Sequence, residues 1–361
     1  MKTTIYLTAS ILALGAVCSP AARPPRPTPT PSATPSPSPS PYQTRNLHFG
    51  VSGGNVNDLT STFCCSGTLG SLVSVGNTLY ILSNNHVLAR QDQALPGEDV
   101  SQPGLIDNGC RVPAIVADFS EAVPLGQNVD CAVAALRAGQ MDSSGFIEGI
   151  GTISSIVKAA AVNLAVQKSG RTTGHTTGNI GSINTSVNVQ YQRRCGSGQK
   201  FTVSYTGQVV INSSSFSAGG DSGSLIVTNN TCRQPVALLF AGSSTDTIGN
   251  PIGEVLSNLS QQPGLNGISF VGSTCSQQPG GPELQLPQEA LDRANRVLEL
   301  NRHDLMSKPA VLGVGLGALE DNSAPAIVVY VDKTNQIQPQ LPGQVDGVAV
   351  RIIMTDPFIA Y

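Results

Sequence analysis

Three side chains suited to nucleophilic catalysis occur along this chain in the order His, Asp, Ser, and they constrain its fold strongly. His86 follows one apolar run, Asp130 lies within another, and Ser222 belongs to the glycine-framed segment Gly219-Gly220-Asp221-Ser222-Gly223. Successive members are 44 and 92 residues apart. A serine hydroxyl is a weak nucleophile that needs an adjacent base, and the base needs a third group to fix its tautomer. The chain must therefore bring three distant segments together.

The pattern assigns a role to each of these residues. Ser222 is the expected nucleophile, His86 the base and Asp130 the group that orients the base. The backbone N–H groups of Gly220 and Ser222 are expected to form an oxyanion hole, each worth about 3 kcal/mol in the transition state. Gly-Asp-Ser-Gly alone is also ordinary turn sequence, so the interpretation depends on the histidine and the aspartate.

Composition narrows both the fold and the partners. Charged residues make up only 12% of the 361-residue chain, whose formal net charge is -3, so it lacks the basic field that holds nucleic acid. We therefore expect no nucleic acid partner. The Ser, His and Asp pattern, rather than the composition, points to protein or peptide substrates. The expected chemistry needs no cofactor and no metal. Trp is absent and aromatic residues are 4%, which, with plentiful Gly, Ser, Thr and Val, suits short strands and tight turns.

Short apolar runs broken by Gly, Asn and Ser predict an all-β fold for residues 46–276. We expect a double β-barrel, because closure removes exposed strand edges, with the two barrels dividing near residues 162–170. The clearest predicted strands are residues 78–82, 129–136, 201–205, 208–211, 224–227 and 235–240.

The pattern changes after a Gly/Pro segment at residues 279–282. Leu291, Leu298 and Leu305 recur every seven residues and predict a helix over residues 287–307. Strands are predicted at residues 311–316, 326–331 and 348–353. Residues 283–361 are therefore expected to form a small α+β domain with no catalytic pattern of its own; inhibition, chaperoning and recruitment are all open roles for it.

The N-terminus has the pattern of an export signal. Lys2 is followed by an apolar run and then by small residues near residues 16–22, and the run is too short to span a bilayer. We expect a signal peptide at residues 1–22 and an extended Pro-rich linker at residues 23–45. A secreted or cell-envelope location follows. Lipidation of Cys18 would attach the chain to the envelope, although Val17 fits poorly before such a cysteine.

Export implies an oxidising compartment in which disulfides persist. Without Cys18 seven cysteines remain, so one is left unpaired. Cys131 is the candidate free thiol, because it follows Asp130 inside an apolar strand where a small buried side chain suffices. The other six allow three disulfides, and the sequence does not choose among the possible connectivities.

Four blocks, LYILSNNHVLA, KSGRTTGHTTG, FSAGGDSGSLIV and LLFAGSSTDTIGNPI, extend over most of residues 64–259. They resemble trypsin-like serine peptidases of the chymotrypsin fold, in the branch of bacteria, fungi and plants that includes the plant narrow-leaf proteins. The resemblance implies a serine endopeptidase and assigns His86, Asp130 and Ser222 to its catalytic triad, at spacings close to those of the family. The VLGVGLG and IVVYVDK runs resemble a small domain that often accompanies these peptidases.

The resemblance also places the substrate pocket. By the family pattern Phe216, six residues before the serine, lines its base, with Ala241 and Gly242 as the wall. Because Phe216 offers no charge for Lys or Arg, we expect a preference for apolar or small side chains.

The chain departs from animal digestive trypsins in two respects. Val87 follows the histidine where those enzymes have Cys, so their disulfide cannot form there. No activation cleavage site is recognisable, so Asp221 is expected to pair internally. Arg171 is one candidate partner, and a solvated turn residue is the other interpretation of Arg171.

Two other functions share part of this pattern. The alternative is a catalytically silent protein that keeps the protease fold and acts in binding or as a scaffold. A lipase or esterase nucleophile elbow does not fit, because it needs Gly where this chain has Ser224, and the order Ser, Asp, His.

Overall fold

Two β-sheets carry most of the chain in the computed structural model, which describes residues 43–276 and 286–361. The described residues belong to one compact unit. The expected signal peptide at residues 1–22, Cys18, most of the expected linker at residues 23–45 and the expected boundary between residues 276 and 283 lie outside them. No helix in the described part of the chain is both long and apolar enough to cross a membrane.

The first sheet is built from the N-terminal part of the described chain. Its early strands are β1 (Val51–Asn55), β2 (Gly67–Leu69), β3 (Ser71–Val75), β4 (Thr78–Ser83), β5 (Asp99–Gln102), β6 (Ala114–Ala122) and β7 (Ala132–Leu136). β8 (Phe146–Ile147) and β9 (Gly151–Thr152) follow and form a separate two-stranded hairpin. The short helix α1 (Asn85–Leu88) follows β4, and a 3-10 turn (Leu105–Asn108) follows β5.

The second sheet closes on itself. Its strands are β10 (Ala165–Gly170), β11 (Gly174–Arg194), β12 (Ser197–Asn212), β13 (Leu225–Thr228), β14 (Pro235–Gly242) and β15 (Asp246–Pro251). Because β10 pairs with both β13 and β11, the order β10-β13-β14-β15-β12-β11 returns to its start. β14 is apolar and buried along its whole length. Such closure leaves no free edge among these strands at the β10 seam.

Helix α2 (Ile252–Ser260) follows the barrel, and β16 (Ser269–Phe270) then returns to the first sheet. That sheet has the order β16-β3-β4-β7-β6-β5-β1-β2, and all its pairs are antiparallel.

The C-terminal residues extend the second sheet. They form α3 (Gln288–Met306), β17 (Val311–Ala318), β18 (Pro325–Asp332), β19 (Gln344–Val345), β20 (Val348–Thr355) and β21 (Phe358–Ala360). β17 pairs with β11, and β18, β20 and β19 continue outward. The apolar face of α3, with Leu298 and Leu305 fully buried, packs on β17 and β18. β21 then runs back and pairs with β11 and β14.

Three disulfides join Cys64 to Cys110, Cys65 to Cys195, and Cys232 to Cys275. The second connects the segment before β2 to the turn between β11 and β12. Cys131 is free and buried, so the prediction of three disulfides with this thiol unpaired is confirmed.

The all-β class with a C-terminal helix and strands is confirmed. Three details differ from the sequence prediction. The strand predicted at residues 129–136 begins at Ala132, so Asp130 lies in the irregular segment before it. Residues 201–205 and 208–211 belong to one long strand, β12. Its partner β11, 21 residues long, was not predicted, because its Gly, Asn and Thr residues hide the alternation.

Candidate active site

His86 lies in α1, the single helical turn that follows β4. The Asn84 side chain donates to the carbonyl of Asp130 at 2.7 Å, and the Asn85 side chain donates to the carbonyl of Val123 at 2.8 Å. These bonds tie the turn to the segment before β7. His86 and Asp130 therefore meet although 44 residues separate them.

The His86 ring and the Asp130 carboxylate form a buried pair, with only 6% and 0% of their side chains exposed. Nδ1 of His86 lies 2.6 Å from Oδ2 of Asp130, and the His86 backbone N–H donates to Oδ1 at 3.2 Å. Burial lowers the pKa of His86, but the charge of Asp130, its hydrogen bond and a hydrogen bond to the carbonyl of Tyr361 together raise the pKa above its usual value.

Two tyrosines that the sequence analysis missed complete the surroundings of Asp130. Tyr191 donates its hydroxyl to Oδ2 of Asp130 at 2.8 Å, and its oxygen lies 2.6 Å from the hydroxyl of Tyr205. Burial, followed by the charge of Asp130, raises the pKa of Tyr191. Val187, Val189 and Tyr191 alternate along the chain and therefore lie on one face of β11. This alternation was the sequence signal from which the buried position of Tyr191 could have been predicted.

Ser222 sits in a turn that requires glycine at two points. Gly220 and Gly223 have φ of 97° and 93°, in the left-handed region that favours glycine. A Cβ on Gly223 would lie 2.2 Å from the carbonyl oxygen of Thr68. The turn is thus held against β2, and the backbone N–H of Thr68 donates to the Ser222 carbonyl at 2.8 Å.

The Ser222 hydroxyl has a protein partner, whereas two backbone N–H groups of the same turn do not. The Ser222 hydroxyl donates to the carbonyl of Phe240 at 3.2 Å rather than to His86. Within the described residues, the backbone N–H groups of Gly220 and Ser222 have no protein acceptor, so they are available to a bound oxyanion.

Lys168 is the partner of Asp221, and the candidate Arg171 was wrong. Nζ of Lys168 lies 3.3 Å from Oδ2 of Asp221, and both side chains are fully buried. Arg171 instead makes a two-pronged ion pair with Asp107, both contacts at 2.8 Å. Lys168 lies within β10 and Arg171 directly follows that strand, and the two buried cations pair with different carboxylates.

Asp221 also has neutral donors. It accepts hydrogen bonds from the backbone of Thr172 at 2.8 Å, the hydroxyl of Thr173 at 2.7 Å and the backbone of Ala218 at 3.0 Å. Asp221 therefore connects the turn that carries Ser222 to the turn after β10.

The three expected pocket residues lie beside the segment formed by residues 359–361. Phe216 is fully buried in an apolar cluster against which Tyr361 packs. Ala241 pairs with Ala360 and Gly242 with Ile359. A Cβ on Gly242 would lie 2.7 Å from the ring of Tyr361, so glycine leaves the space that the ring fills.

Tyr361 was not predicted to belong to this site, yet its carbonyl oxygen lies 2.9 Å from Nε2 of His86. A cavity of about 140 Å³ adjoins this contact and is lined by residues that include His86, Tyr191, Tyr361 and Asp58. Burial raises the pKa of the Asp58 carboxyl to about 6, against the opposing charges of His86 and Arg90.

No family model matches the chain, and no curated protein matches it. Among solved structures, a glutamic acid specific serine protease that uses a histidine triad in substrate binding matches with a TM-score of 0.43 and 21% identity, over 62% of this chain and 100% of that chain. Protease A of Thermobifida fusca matches with a TM-score of 0.41 and 18% identity, over 63% and 99%. A chymotrypsin of Cellulomonas bogoriensis matches with a TM-score of 0.40 and 16% identity, over 63% and 99%. The resemblance to the narrow-leaf branch stays a prediction.

Proposed function

We propose that the chain is an exported serine endopeptidase that hydrolyses protein substrates through an acyl-enzyme on Ser222. The observation that carries the proposal is that His86 and the strand next to Ser222 meet at one short segment, residues 359–361. His86, on α1, contacts the Tyr361 carbonyl. β14, whose Phe240 carbonyl accepts from Ser222, pairs with Ile359 and Ala360.

In the proposed mechanism His86 acts as the base. Because Asp130 accepts from Nδ1, the neutral imidazole has a free electron pair on Nε2. Ser222 turns its hydroxyl from Phe240 toward Nε2 and attacks the substrate carbonyl carbon, while its proton passes to Nε2. The resulting oxyanion is stabilised by the N–H groups of Gly220 and Ser222, which have no protein acceptor.

The intermediate then collapses. The C–N bond breaks, and the proton on Nε2 of His86 passes to the leaving amine. Water attacks the acyl carbon and loses a proton to Nε2. The C–O bond to Ser222 then breaks, Nε2 returns the proton to the Ser222 oxygen, and the product acid leaves. Phe216, Ala241 and Gly242 form the pocket for the side chain before the scissile bond.

Export is supported by the cysteines. Three disulfides among the described residues suit an oxidising compartment. The proposal includes a signal peptide at residues 1–22, a Pro-rich linker at residues 23–45, the peptidase domain at residues 46–276 and an accompanying α+β domain at residues 283–361.

The proposal is tested with a fluorophosphonate probe, which reacts with activated serines. Ser222→Ala should abolish labelling while circular dichroism stays unchanged. Ser257→Ala, which removes an exposed hydroxyl on α2, should label like the unmodified chain. Labelling retained at another residue in Ser222→Ala would reject the assignment.

The alternative, a catalytically silent binding protein, makes a different prediction. Neither the full chain nor a chain without residues 359–361 would then label or degrade casein, although both fold.

A further inference from the structure

A short segment of the chain lies along the wall of the proposed pocket. Ile359 pairs with Gly242 and Ala360 with Ala241, in antiparallel register. Extended peptides bind sheet edges in this way through main-chain hydrogen bonds, while alternate side chains enter pockets. The register places Tyr361 next, opposite the residue before Ala241.

Tyr361 is thereby brought to the groups that would react. The residue opposite it is Phe240, whose carbonyl accepts a hydrogen bond from Ser222. Its own carbonyl oxygen lies 2.9 Å from Nε2 of His86. Residues 359–361 therefore lie along β14 as a substrate segment would, with the Tyr361 carbonyl at His86 and the N–H groups of Gly220 and Ser222 still without a protein acceptor.

The contact with Tyr361 also favours the protonated form of His86. Nδ1 faces Asp130 and Nε2 faces the Tyr361 oxygen, and both partners accept hydrogen bonds. Donating to both requires a proton on each ring nitrogen, and an imidazole in that state has no electron pair to accept the serine proton.

The pocket is complementary to a tyrosine side chain in shape and polarity. The ring of Tyr361 packs on the apolar cluster that contains Phe216 and fills the space left by Gly242. Its hydroxyl donates to the carbonyl of Ser243 at 2.8 Å. An apolar slot that ends in a hydrogen-bond acceptor suits a phenol better than an aliphatic or cationic side chain.

The residues just before this segment anchor it. Phe358 is buried, with its ring centroid 5.8 Å from that of Tyr330. Asp356 pairs with Lys333 at 3.0 Å, and Thr355 donates to Asp246 at 2.6 Å. The contacts of residues 355, 356 and 358 therefore hold residues 359–361 in position beside β14.

We propose that residues 359–361 occupy the substrate cleft as the residues before a scissile bond do, so that the peptidase cleaves after tyrosine and its own segment competes with substrates. This inference rests on the proposed function of Ser222. It specifies the expected apolar pocket as one for a large phenolic side chain.

The expected effect follows from local concentration. A tethered ligand acts at an effective concentration on the order of millimolar, so a segment with an intrinsic Kd of roughly 0.1 mM would slow reactions at the site about tenfold. One hydrogen bond to the Ser243 carbonyl should favour tyrosine over phenylalanine by up to about tenfold.

The experiment compares the full chain with three variants. One ends at Phe358, which keeps the buried anchor; one carries Tyr361→Gly, which keeps the backbone pairing. The control is Ile337→Ser, at a side chain that is 67% exposed and remote in sequence from the cleft strands. Each is assayed by the rate of fluorophosphonate labelling and by hydrolysis of acetyl-Ile-Ala-X coumarin amides with X as Tyr, Phe, Gly or Arg.

We expect labelling about tenfold faster in the chain ending at Phe358 and in Tyr361→Gly, with Ile337→Ser unchanged. The Tyr amide should be hydrolysed fastest, and a peptide of residues 356–361 added to the shortened chain should inhibit competitively. Equal labelling of all four proteins, or no preference for Tyr over Gly, would overturn the inference alone. Absence of labelling at Ser222 in every folded protein would instead overturn the proposed function.

Discussion

The buried ion pair between Lys168 and Asp221 makes a quantitative prediction about the turn that carries Ser222. At 3.3 Å between Nζ and Oδ2, the attraction is about 5 kcal/mol at an effective dielectric constant of roughly 20. Lys168→Met removes that attraction and leaves a buried carboxylate with neutral donors only. Asp221 keeps the Thr173 hydroxyl and backbone N–H groups, so we expect a net loss of about 3 to 5 kcal/mol in the free energy of unfolding.

The measurement is urea unfolding with the disulfides intact, followed by two probes to check for a single transition. Arg137→Met is the matched control, because Arg137 pairs with Asp99 and Asp118 at the surface with 41% of its side chain exposed, and should cost no more than about 1 kcal/mol. The double variant Lys168→Met/Asp221→Asn should lose less than the two single variants together, since it leaves no unpaired charge. A loss in Lys168→Met within the range of the control would refute the reasoning.

Three further predictions concern the histidine, its orienting group and the disulfides. Burial lowers the pKa of His86, but Asp130 raises it above 6.5 overall; since the base must be neutral, activity should fall as pH decreases, with a midpoint above 6.5, and a pH–rate profile with a lower midpoint would contradict this. Tyr191→Phe removes a donor to the Asp130 carboxylate, so we expect kcat to fall, stability to drop by about 2 kcal/mol, and the midpoint of the pH–rate profile to move upward; an unmoved midpoint would assign Tyr191 a packing role only. Replacing Cys65 and Cys195 by Ser opens a loop of 130 residues and should cost about 5 kcal/mol on a chain-entropy estimate, seen as a lower Tm; an unchanged Tm in calorimetry would contradict it.

The candidate site was only partly accessible from the sequence. His86, Asp130 and Ser222 stand in short motifs whose order and spacing are visible along the chain. The contributions of Lys168 and Tyr361 depend on register and on tertiary packing. Lys168 and Arg171 are three residues apart and both cationic, so the sequence alone does not indicate which of them reaches Asp221.

The fold, too, was only partly predictable from the sequence. Strands with compact apolar runs, such as β14, were predicted close to their observed bounds. The long strand β11 was missed, because its Gly, Asn and Thr residues hide the alternation of buried and exposed side chains. The packing of residues 358–361 against the cleft has no local signal, because the contacts that hold Phe358 and Tyr361 come from segments far away in sequence.

One edge of β11 stays unpaired during synthesis until later strands of the chain emerge. One of its edges is paired by three segments in succession: β10 at residues 174–179, β17 at residues 182–187 and β21 at residues 189–190. The last two follow all the barrel strands along the chain and therefore leave the ribosome after them. Until they arrive, the backbone N–H and C=O groups along that edge are a template for any strand, including β17 from a second copy. A chain shortened ahead of residue 286 would keep this edge open permanently, so its tendency to associate would dominate what is observed.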